Sequence, residues 1–271
     1  MARKMLSGNE AIALGAWEAG VAVGCGYPGT PSTEILEALM KFPGLYTEWS
    51  VNEKVALEVG LGASVAGGRA LVTMKHVGVN VAADPLFTAA YTGVSGGLVV
   101  ITADDPSMHS SQNEQDNRHY AIAAKLPMFE PSTPAEARAF TRASYALSEA
   151  HDTPVFVRTT TRLSHSKGVV EDVDLTITPA KHPVAVDQNP GKYVMIPGNA
   201  RGRRVVVEAR MDELRRVVET HPANVVERRG AVGVITSGVP YAYVREVLPE
   251  ASVLKLGIVN PLPEHLIRDF A

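Results

Sequence analysis

The sequence predicts an α/β protein with a doubly wound, mostly parallel sheet, followed by part of a second α/β domain. Short apolar runs alternate with longer helical patterns from residue 7 to about residue 157. Mainly apolar runs of this length are typical of strands that are buried on both faces of a parallel sheet. Ligands bind beyond the carboxyl ends of such strands, so the loops that follow them are the most informative.

The predicted elements of the first domain follow one another closely. Ser7 and Glu10 form a capping box at the start of the first helix, and Thr30 with Pro31 suits the start of the second. The predicted helices are 7–20, 31–40, 52–66, 79–91, 118–124 and 134–150. The predicted strands are 21–25, 45–49, 69–74, 98–103 and 154–158, with a short segment at 128–130.

The pattern changes after the first domain, which we place at residues 1–164. Residues 165–228 are predicted to be a linker with one helix at 211–220, because prolines and scattered charges interrupt the periodicity as far as residue 202. Residues 229–271 resume the alternation, with strands 231–236 and 252–256 and helices 241–248 and 263–270. Two strands are too few for a sheet with its own core, so we expect this segment to be a partial domain or to dock on the first.

Composition and charge exclude several classes of function. A formal net charge of −3 gives no reason to expect a nucleic acid or an anionic membrane as partner. The basic residues Arg201, Arg203 and Arg204 are expected on a solvated face. The single cysteine, Cys25, excludes a disulfide, an iron–sulfur cluster or a cysteine-rich zinc site within these residues. No apolar run reaches the roughly 20 residues that span a bilayer, and we expect a cytoplasmic protein.

A glycine-rich turn follows the first predicted strand of the sheet. Residues 24–29 satisfy the pattern G-x-G-x-x-G, which indicates dinucleotide binding when it lies between a strand and a helix. Pro28 argues against that interpretation, because it removes a backbone donor from the loop that would hold the pyrophosphate. A tight turn without a ligand is the second possibility. The third is that Thr30, at the start of the following helix, presents its hydroxyl to a carboxylate.

Three further segments follow strand ends. Glu53 begins a helix that is rich in Gly, Ala and Ser, so another backbone or a cofactor could approach it closely. An acid in the first turn of a helix is also common without any function. Lys75 and His76 follow the next strand, and their roles stay open. The polar loop 104–117 has a solvated surface loop as its simplest interpretation, and no metal-ligand spacing fits its residues.

These runs together resemble the 2-oxoacid:ferredoxin oxidoreductases, a family of thiamine-diphosphate enzymes. The resemblance lies in residues 26–34 (GYPGTPSTE), 74–86 (MKHVGVNVAADPL), 104–116 (DDPSMHSSQNEQD) and 235–239 (ITSGV), and it is strongest for the α subunits of the indolepyruvate branch. It implies a pyrimidine-binding first domain and a partial transketolase C-terminal-like domain at residues 229–271. The implied reaction is oxidative decarboxylation of aryl pyruvates to acyl-CoA with reduction of ferredoxin.

The resemblance also implies a role for individual residues. Glu53 would hydrogen-bond N1′ of the cofactor's aminopyrimidine, so that the 4′-nitrogen can take the proton from C2 of the thiazolium. Thr30 and Arg118 would hold the substrate carboxylate, for which a guanidinium is suited by its two parallel donors. The residues expected to contact the cofactor with Glu53 are Gly29, Lys75, His76, Gly78 and Asn80. No metal ligand is predicted within these residues.

The family's α subunit is longer than these 271 residues. Its later part carries the domain that binds the diphosphate and Mg²⁺ and, in many members, a cysteine-rich ferredoxin-like segment. The iron–sulfur cluster and CoA therefore belong to the complete enzyme, and we expect a β subunit, a diphosphate-binding domain and ferredoxin as partners in an oligomer. Two alternatives remain, a pyruvate or branched-chain 2-oxoacid oxidoreductase subunit and a non-catalytic nucleotide-binding module.

Overall fold

A computed structural model describes residues 2–175, 186 and 188–271 of the chain. Its helices and strands cover most of these residues. The strands are β1 (Ala2–Ser7), β2 (Val23–Gly26), β3 (Tyr46–Trp49), β4 (Ala70–Lys75), β5 (Leu98–Asp104), β6 (Met128–Phe129), β7 (Val155–Thr160), β8 (Lys167–Val173), β9 (Val225–Glu227), β10 (Gly233–Ser237), β11 (Ser252–Leu256) and β12 (Ile258–Asn260). The helices are α1 (Gly8–Glu18), α2 (Thr33–Leu39), α3 (Glu53–Val65), α4 (His76–Val81), α5 (Ala83–Thr92), α6 (Arg118–Ala124), α7 (Pro134–Ala150), α8 (Thr161–His165), α9 (Pro190–Tyr193), α10 (Pro197–Thr220), α11 (Pro240–Val247) and α12 (Glu264–Phe270).

The central sheet has seven strands in the order β12-β6-β7-β5-β4-β2-β3. All neighbours are parallel except β12 and β6, which are antiparallel. Alternate residues of a strand point to opposite faces, and the core divides accordingly. Leu71 packs with α1, α2 and α7 on one face, whereas Val72 packs with α3 and α5 on the other. The predicted doubly wound, mostly parallel sheet is confirmed.

Several predicted boundaries differ from the structure for local reasons. Residues 2–7 form β1, which pairs with β8 from far along the chain, so the sequence nearby gives no sign of it. The capping box of Ser7 and Glu10 is confirmed. The prediction that Thr30 is the N-cap of α2 was wrong, because the helix begins at Thr33 and its N-cap is Ser32. The predicted helix 79–91 is two helices, α4 and α5, that meet at Ala82.

The prediction of an extended segment up to residue 202 was also wrong in part. Residues 167–173 form β8, antiparallel to β1, and α10 begins at Pro197 rather than at residue 211. Proline at the first helical position is favourable because its missing N–H has no helical partner there. Pro179 and Pro183 lie outside the described residues. The domain boundaries at residues 164 and 228 stay predictions.

The last 47 residues form a small sheet that docks on the first domain. Strands β10, β11 and β9 make a three-stranded sheet, and its small core centres on Leu254, Leu256 and Phe270. Strand β12 instead joins the central sheet beside β6. Asn260 strengthens this contact by donating from Nδ2 to the carbonyl oxygens of Ala121 and Leu126, at 3.3 and 2.6 Å. In the residues that the structure describes, no helix is both long enough and apolar enough to cross a membrane.

Asp152 fastens the segment 190–220 to the first domain. Its carboxylate lies 2.9 Å from Lys192 Nζ, 2.9 Å from Arg203 Nη2 and 3.3 Å from Arg210 Nη2, and it accepts the backbone N–H of Val94. The expectation that Arg203 lies on a solvated face was wrong, because its side chain is only 13% exposed. Arg201 and Arg204 do lie on the exposed face of α10.

We expect Asp152→Asn to lower the free energy of unfolding of the chain by about 2 kcal/mol at pH 7, less than for a fully buried pair because the carboxylate is 35% exposed. Burial alone would raise the pKa of Asp152, but Arg203 and Lys192 hold it below its ordinary value. This stability is therefore present above pH ~4 and is lost as the pH falls through the lowered pKa. Urea unfolding of both proteins between pH 3 and pH 7 measures the effect.

Asp212→Asn is the matched control, because Asp212 pairs only with Arg215 on the surface of α10, where the two side chains are 62% and 52% exposed. It should change stability by less than about 0.5 kcal/mol. Asparagine tolerates the positive φ of 50° at position 152, so the Asp152 variant tests the charge rather than the backbone. An equal effect of the two variants would contradict the fastening role of Asp152.

Candidate active site

The carboxyl edge of the central sheet brings together the loops that carry the predicted site residues. Strands β2, β3, β4 and β5 are parallel neighbours, so the segments that follow them emerge at the same edge. Thr30 follows β2, Glu53 follows β3, and Lys75 and His76 end β4 and begin α4. The loop 105–117 follows β5. This convergence agrees with the position at which open α/β sheets bind their ligands.

Glu53 lies at the first position of α3 with its side chain largely buried. The N-cap Asn52 accepts the backbone N–H of Val55 at 2.9 Å and so fixes where the helix begins. Only 9% of Glu53 is exposed, yet its carboxylate accepts no hydrogen bond from any residue that the structure describes. A buried acid without a partner is costly, so this position favours a group that brings its own hydrogen-bonding atoms.

Gly78, in α4, leaves the space that the Glu53 side chain occupies. A Cβ atom at position 78 would lie 2.5 Å from Glu53 Oε1 and 2.6 Å from its Cγ. Such distances are far below van der Waals contact, so any side chain at position 78 would displace the carboxylate. The predicted pair of Glu53 and Gly78 is thus brought together, and the glycine is required by the position of the acid.

Lys75 and His76 hold the loop 105–117 at this edge. Lys75 Nζ donates to the carbonyl oxygen of Ser110 at 2.6 Å, and His76 Nε2 lies 3.2 Å from the carbonyl oxygen of Asn113. Both side chains are buried, and His76 Nδ1 has no hydrogen-bond partner among the described residues. Because Nε2 faces a carbonyl oxygen, it is the donor of this hydrogen bond.

Asp105 gives the same loop a second set of hydrogen bonds. One carboxylate oxygen accepts the backbone N–H of Ser110 at 2.7 Å and the hydroxyl of Ser111 at 2.6 Å, and the other accepts the hydroxyl of Thr161 at 2.7 Å. Burial would raise the pKa of Asp105, but these hydrogen bonds outweigh it and lower the pKa to about 2. These hydrogen bonds hold the loop at the edge of the sheet, while residues 106–110 and 112–114 are exposed, so its interpretation as a solvated surface loop is confirmed.

We expect Lys75→Met to loosen this loop without unfolding the chain. Loss of a hydrogen bond from a charged donor should speed amide exchange in residues 105–113 by about tenfold. Hydrogen–deuterium exchange measured by mass spectrometry on the chain without any ligand tests this. Lys54→Met is the control, because Lys54 pairs with Asp84 at the surface, with side chains 43% and 78% exposed. Equal exchange rates in wild type and Lys75→Met would show that the loop is held by other contacts.

The remaining predicted site residues are Thr30, Gly29 and Asn80. Thr30 is exposed and forms no hydrogen bond with Glu53 or Arg118. Gly29 is in close contact with Lys75, since a Cβ at position 29 would lie 3.1 Å from the Lys75 Cβ. Asn80 is exposed and its Oδ1 accepts the Tyr120 hydroxyl at 2.6 Å. Their roles in binding substrate or cofactor stay predictions.

Arg118 belongs to a group of charged residues that the sequence did not reveal. We call Asp104, Asp116, Arg118, Glu130 and Arg158 the arginine cluster. Arg158 is 6% exposed at its side chain, and it donates from Nε to Asp104 at 2.7 Å and from Nη1 to Glu130 at 2.6 Å. Burial raises the pKa of Asp104 despite the nearby guanidinium. The sequence did contain one sign of this cluster. Arg158 lies in an otherwise apolar strand, and a buried arginine needs acidic partners.

Glu130 also links the arginine cluster to the C-terminal segment. Its Oε2 accepts the Ser237 hydroxyl at 3.3 Å, and its carboxylate packs against Gly238, which has a φ of 56°. A Cβ at position 238 would lie 2.7 Å from Glu130 Oε1. Residues 235–239 are one of the runs that carry the family resemblance. Through Ser237 and Gly238 this run contacts the first domain beside the site.

The edge fits one end of thiamine diphosphate. The unpartnered carboxylate of Glu53, whose position depends on Gly78, suits the aminopyrimidine ring, because N1′ of the ring can hydrogen-bond a carboxyl group. In the ranges that the structure describes, no group of three His, Cys, Asp or Glu side chains could hold a metal ion. Glu53 is the described residue that would hold the pyrimidine ring.

Comparison with known sequences identifies the class of protein. Residues 14–228 match the family described as pyruvate flavodoxin/ferredoxin oxidoreductase, thiamine diphosphate-binding. The chain therefore belongs to this family, and its resemblance to the 2-oxoacid:ferredoxin oxidoreductases is confirmed.

Relatives within the family point to one branch. The chain is 49% identical to the indolepyruvate oxidoreductase subunit IorA of Archaeoglobus fulgidus, over 98% of this chain and 44% of the relative. It is 45% identical to IorA of Methanothermobacter marburgensis, over 99% of this chain and 45% of the relative. A ketoisovalerate oxidoreductase subunit, VorB of Methanothermobacter thermautotrophicus, is 26% identical over 59% of the chain and 48% of the relative. The chain spans less than half the length of the IorA relatives that it matches.

A solved structure supports the fold. The 2-oxoglutarate:ferredoxin oxidoreductase from Magnetococcus marinus, described with 2-oxoglutarate, coenzyme A and succinyl-CoA bound, superposes with a TM-score of 0.83. The match covers 99% of this chain and 56% of the other, at 18% sequence identity. The same arrangement of strands and helices is thus present in that protein.

Proposed function

We propose that this chain is the pyrimidine-binding part of a thiamine-diphosphate-dependent oxidoreductase that converts indolepyruvate and other aryl pyruvates to acyl-CoA and reduces ferredoxin. The observation that carries the proposal is the Glu53 carboxylate, which is buried against Gly78 and has no partner among the described residues. It lies at the edge of the sheet where the segments after β2, β3, β4 and β5 meet, and a ligand bound there could supply the missing partner. The identity to IorA relatives favours the aryl pyruvate substrate over other 2-oxo acids.

Each described residue has a limited task in this proposal. Glu53 would hydrogen-bond N1′ of the pyrimidine, and the bound cofactor would supply the acidic C2 position whose proton loss this hydrogen bond favours. Arg118 and Thr30 hold the substrate carboxylate, with the loop 105–117 positioning Arg118. Lys75 and His76 act through that loop, which their side chains hold at the edge of the sheet.

The complete enzyme needs groups that these residues do not supply. We propose that a diphosphate-binding domain on another polypeptide or a further part of the protein holds Mg²⁺ and the diphosphate. An iron–sulfur cluster elsewhere in the complex would pass the electrons to ferredoxin, with a β subunit as partner in an oligomer. We place the enzyme in the cytoplasm, where Cys25, the one cysteine, stays reduced.

The test is turnover by the enzyme assembled with its diphosphate-binding and β polypeptides. Reduction of ferredoxin is measured with CoA and, in turn, indolepyruvate, phenylpyruvate, pyruvate and 2-oxoisovalerate. We expect kcat/KM for the two aryl pyruvates to exceed that for the others by about tenfold or more. A preference for pyruvate or 2-oxoisovalerate would overturn the substrate assignment while leaving the class intact. Tight binding of NAD by the chain, with no response to thiamine diphosphate, would favour a nucleotide-binding module instead.

A further inference from the structure

Arg118 already holds a carboxylate in this structure, and that carboxylate belongs to the same loop. Its Nε donates to Asp116 Oδ1 at 2.9 Å and its Nη2 donates to Asp116 Oδ2 at 2.6 Å. Two parallel donors to one carboxylate are the arrangement in which a guanidinium would bind a 2-oxo acid. The backbone N–H of Arg118 also donates to Asp116 Oδ1, at 3.0 Å. Asp116 therefore occupies the face of Arg118 that a substrate would need.

Both guanidinium groups of the arginine cluster are already paired with acids, so a substrate carboxylate would find no unpaired positive charge there. It contains three carboxyl groups and two guanidinium groups, and Arg158 is engaged by Asp104 and Glu130. Glu130 Oε2 also lies 3.8 Å from Arg118 Nη1. A substrate carboxylate that joined this group without displacing an acid would add a negative charge to a site that already has an excess of acids.

Asp116 is ionised at neutral pH and lies between the two arginines. Burial would raise its pKa, but the hydrogen bonds from Arg118 and the charge of Arg158 lower the pKa to about 2. Its Oδ1 is 3.7 Å from Arg158 Nε. The side chains of Asp116 and Arg118 are 35% and 41% exposed, so both can be reached from the solvent side. A rotation of Asp116 toward the solvent would uncover Arg118 and remove one acid from the arginine cluster.

We propose that Asp116 is a specificity-determining residue, an internal carboxylate that pairs with Arg118 and is exchanged for the carboxylate of the substrate. This inference rests on the proposed function, in which Arg118 binds a 2-oxo acid. A small anion with no other contact cannot replace Asp116 efficiently, because it must compete with a carboxylate tethered two residues away. A 2-oxo acid that is also held through its carbonyl and side chain can make the exchange. Asp116 thus keeps common inorganic anions from Arg118.

The test is a comparison of Asp116→Asn and Arg118→Met in the assembled enzyme. Loss of a half-exposed ion pair is worth about fivefold in affinity, so Asp116→Asn should lower KM for indolepyruvate by about that factor. The same variant should make chloride a competitive inhibitor at concentrations that do not affect the wild type. Arg118→Met should raise KM. Glu114→Gln, in the same loop, is the control, since Glu114 contacts the backbone N–H of Ser107 and does not pair with Arg118.

The outcomes separate this inference from the proposed function. If Arg118→Met raises KM but Asp116→Asn leaves KM and chloride inhibition unchanged, or raises KM, the exchange is refuted and the function stands. If Arg118→Met has no effect on KM, Arg118 does not bind the carboxylate, and both the placement of the substrate and the exchange are refuted. Thermal unfolding shows whether each variant is folded. Asp116→Ser, a second neutral replacement, should reproduce the lower KM and the chloride inhibition.

Discussion

Glu53→Gln should lower kcat of the assembled enzyme by at least about 100-fold, because glutamine cannot exchange a proton with N1′ of the pyrimidine. The change keeps the shape of the side chain, so the KM for the 2-oxo acid should change much less than kcat. The carboxylate has no partner among the described residues, and the chain should therefore remain as stable as the wild type. Steady-state rates with indolepyruvate and thermal unfolding of the chain measure the two effects.

Glu58→Gln is the matched control for this variant. Glu58 lies on the same helix, α3, five residues further along, and its side chain is exposed. We expect its kcat to equal that of the wild type. If Glu53→Gln kept more than a tenth of the wild-type rate, the carboxyl group would not be the one that activates the cofactor.

Gly78→Ala should lower kcat by about 10- to 100-fold, because a misplacement of a reacting group by about an ångström has effects of this size. The added methyl group would lie 2.5 Å from Glu53 Oε1, so the carboxylate has to move out of its position. The Glu53 side chain can rotate toward the open edge of the sheet, so the chain should still fold. The measurements are kcat in the assembled enzyme and the melting temperature of the chain.

Gly62→Ala makes the same chemical change where the structure has room. A Cβ at position 62, in α3, would have no neighbouring atom within 4 Å. Because alanine favours the helix, this variant should stabilise the chain by about 0.5–1 kcal/mol. Its kcat should not change. Equal losses of activity in both variants would mean that glycine is needed for flexibility rather than for the position of Glu53.

The sequence predicts those parts of the site that depend on residues close together along the chain. The alternation of apolar runs and helices predicts the parallel sheet, and parallel strands require the segments after β2, β3, β4 and β5 to meet. These predictions succeed because strand direction and helix starts depend on residues within a few positions of each other.

Pairings between distant residues escaped the prediction. Strand β8 pairs with β1 across about 160 residues of chain, and nothing in either segment specifies the other. The partners of Arg158 are equally remote, since Glu130 lies 28 and Asp104 54 positions away. The roles of Lys75 and His76 also depended on tertiary structure, because their partners are backbone carbonyl groups that any sequence provides. Such contacts are set by the closed fold rather than by local preference.

Strand β12 has a consequence for how the molecule can be divided. Residues 258–260 complete the central sheet beside β6, and the backbone N–H of Glu130 donates to the carbonyl oxygen of Gly257 at 2.9 Å. The residues proposed to bind the cofactor and the substrate all precede residue 119, yet one edge strand of the sheet that carries them comes from residues 258–260. The stretch of chain that carries the proposed site residues is therefore shorter than the stretch that forms the complete sheet. During synthesis the sheet reaches its full width only after the second segment has emerged.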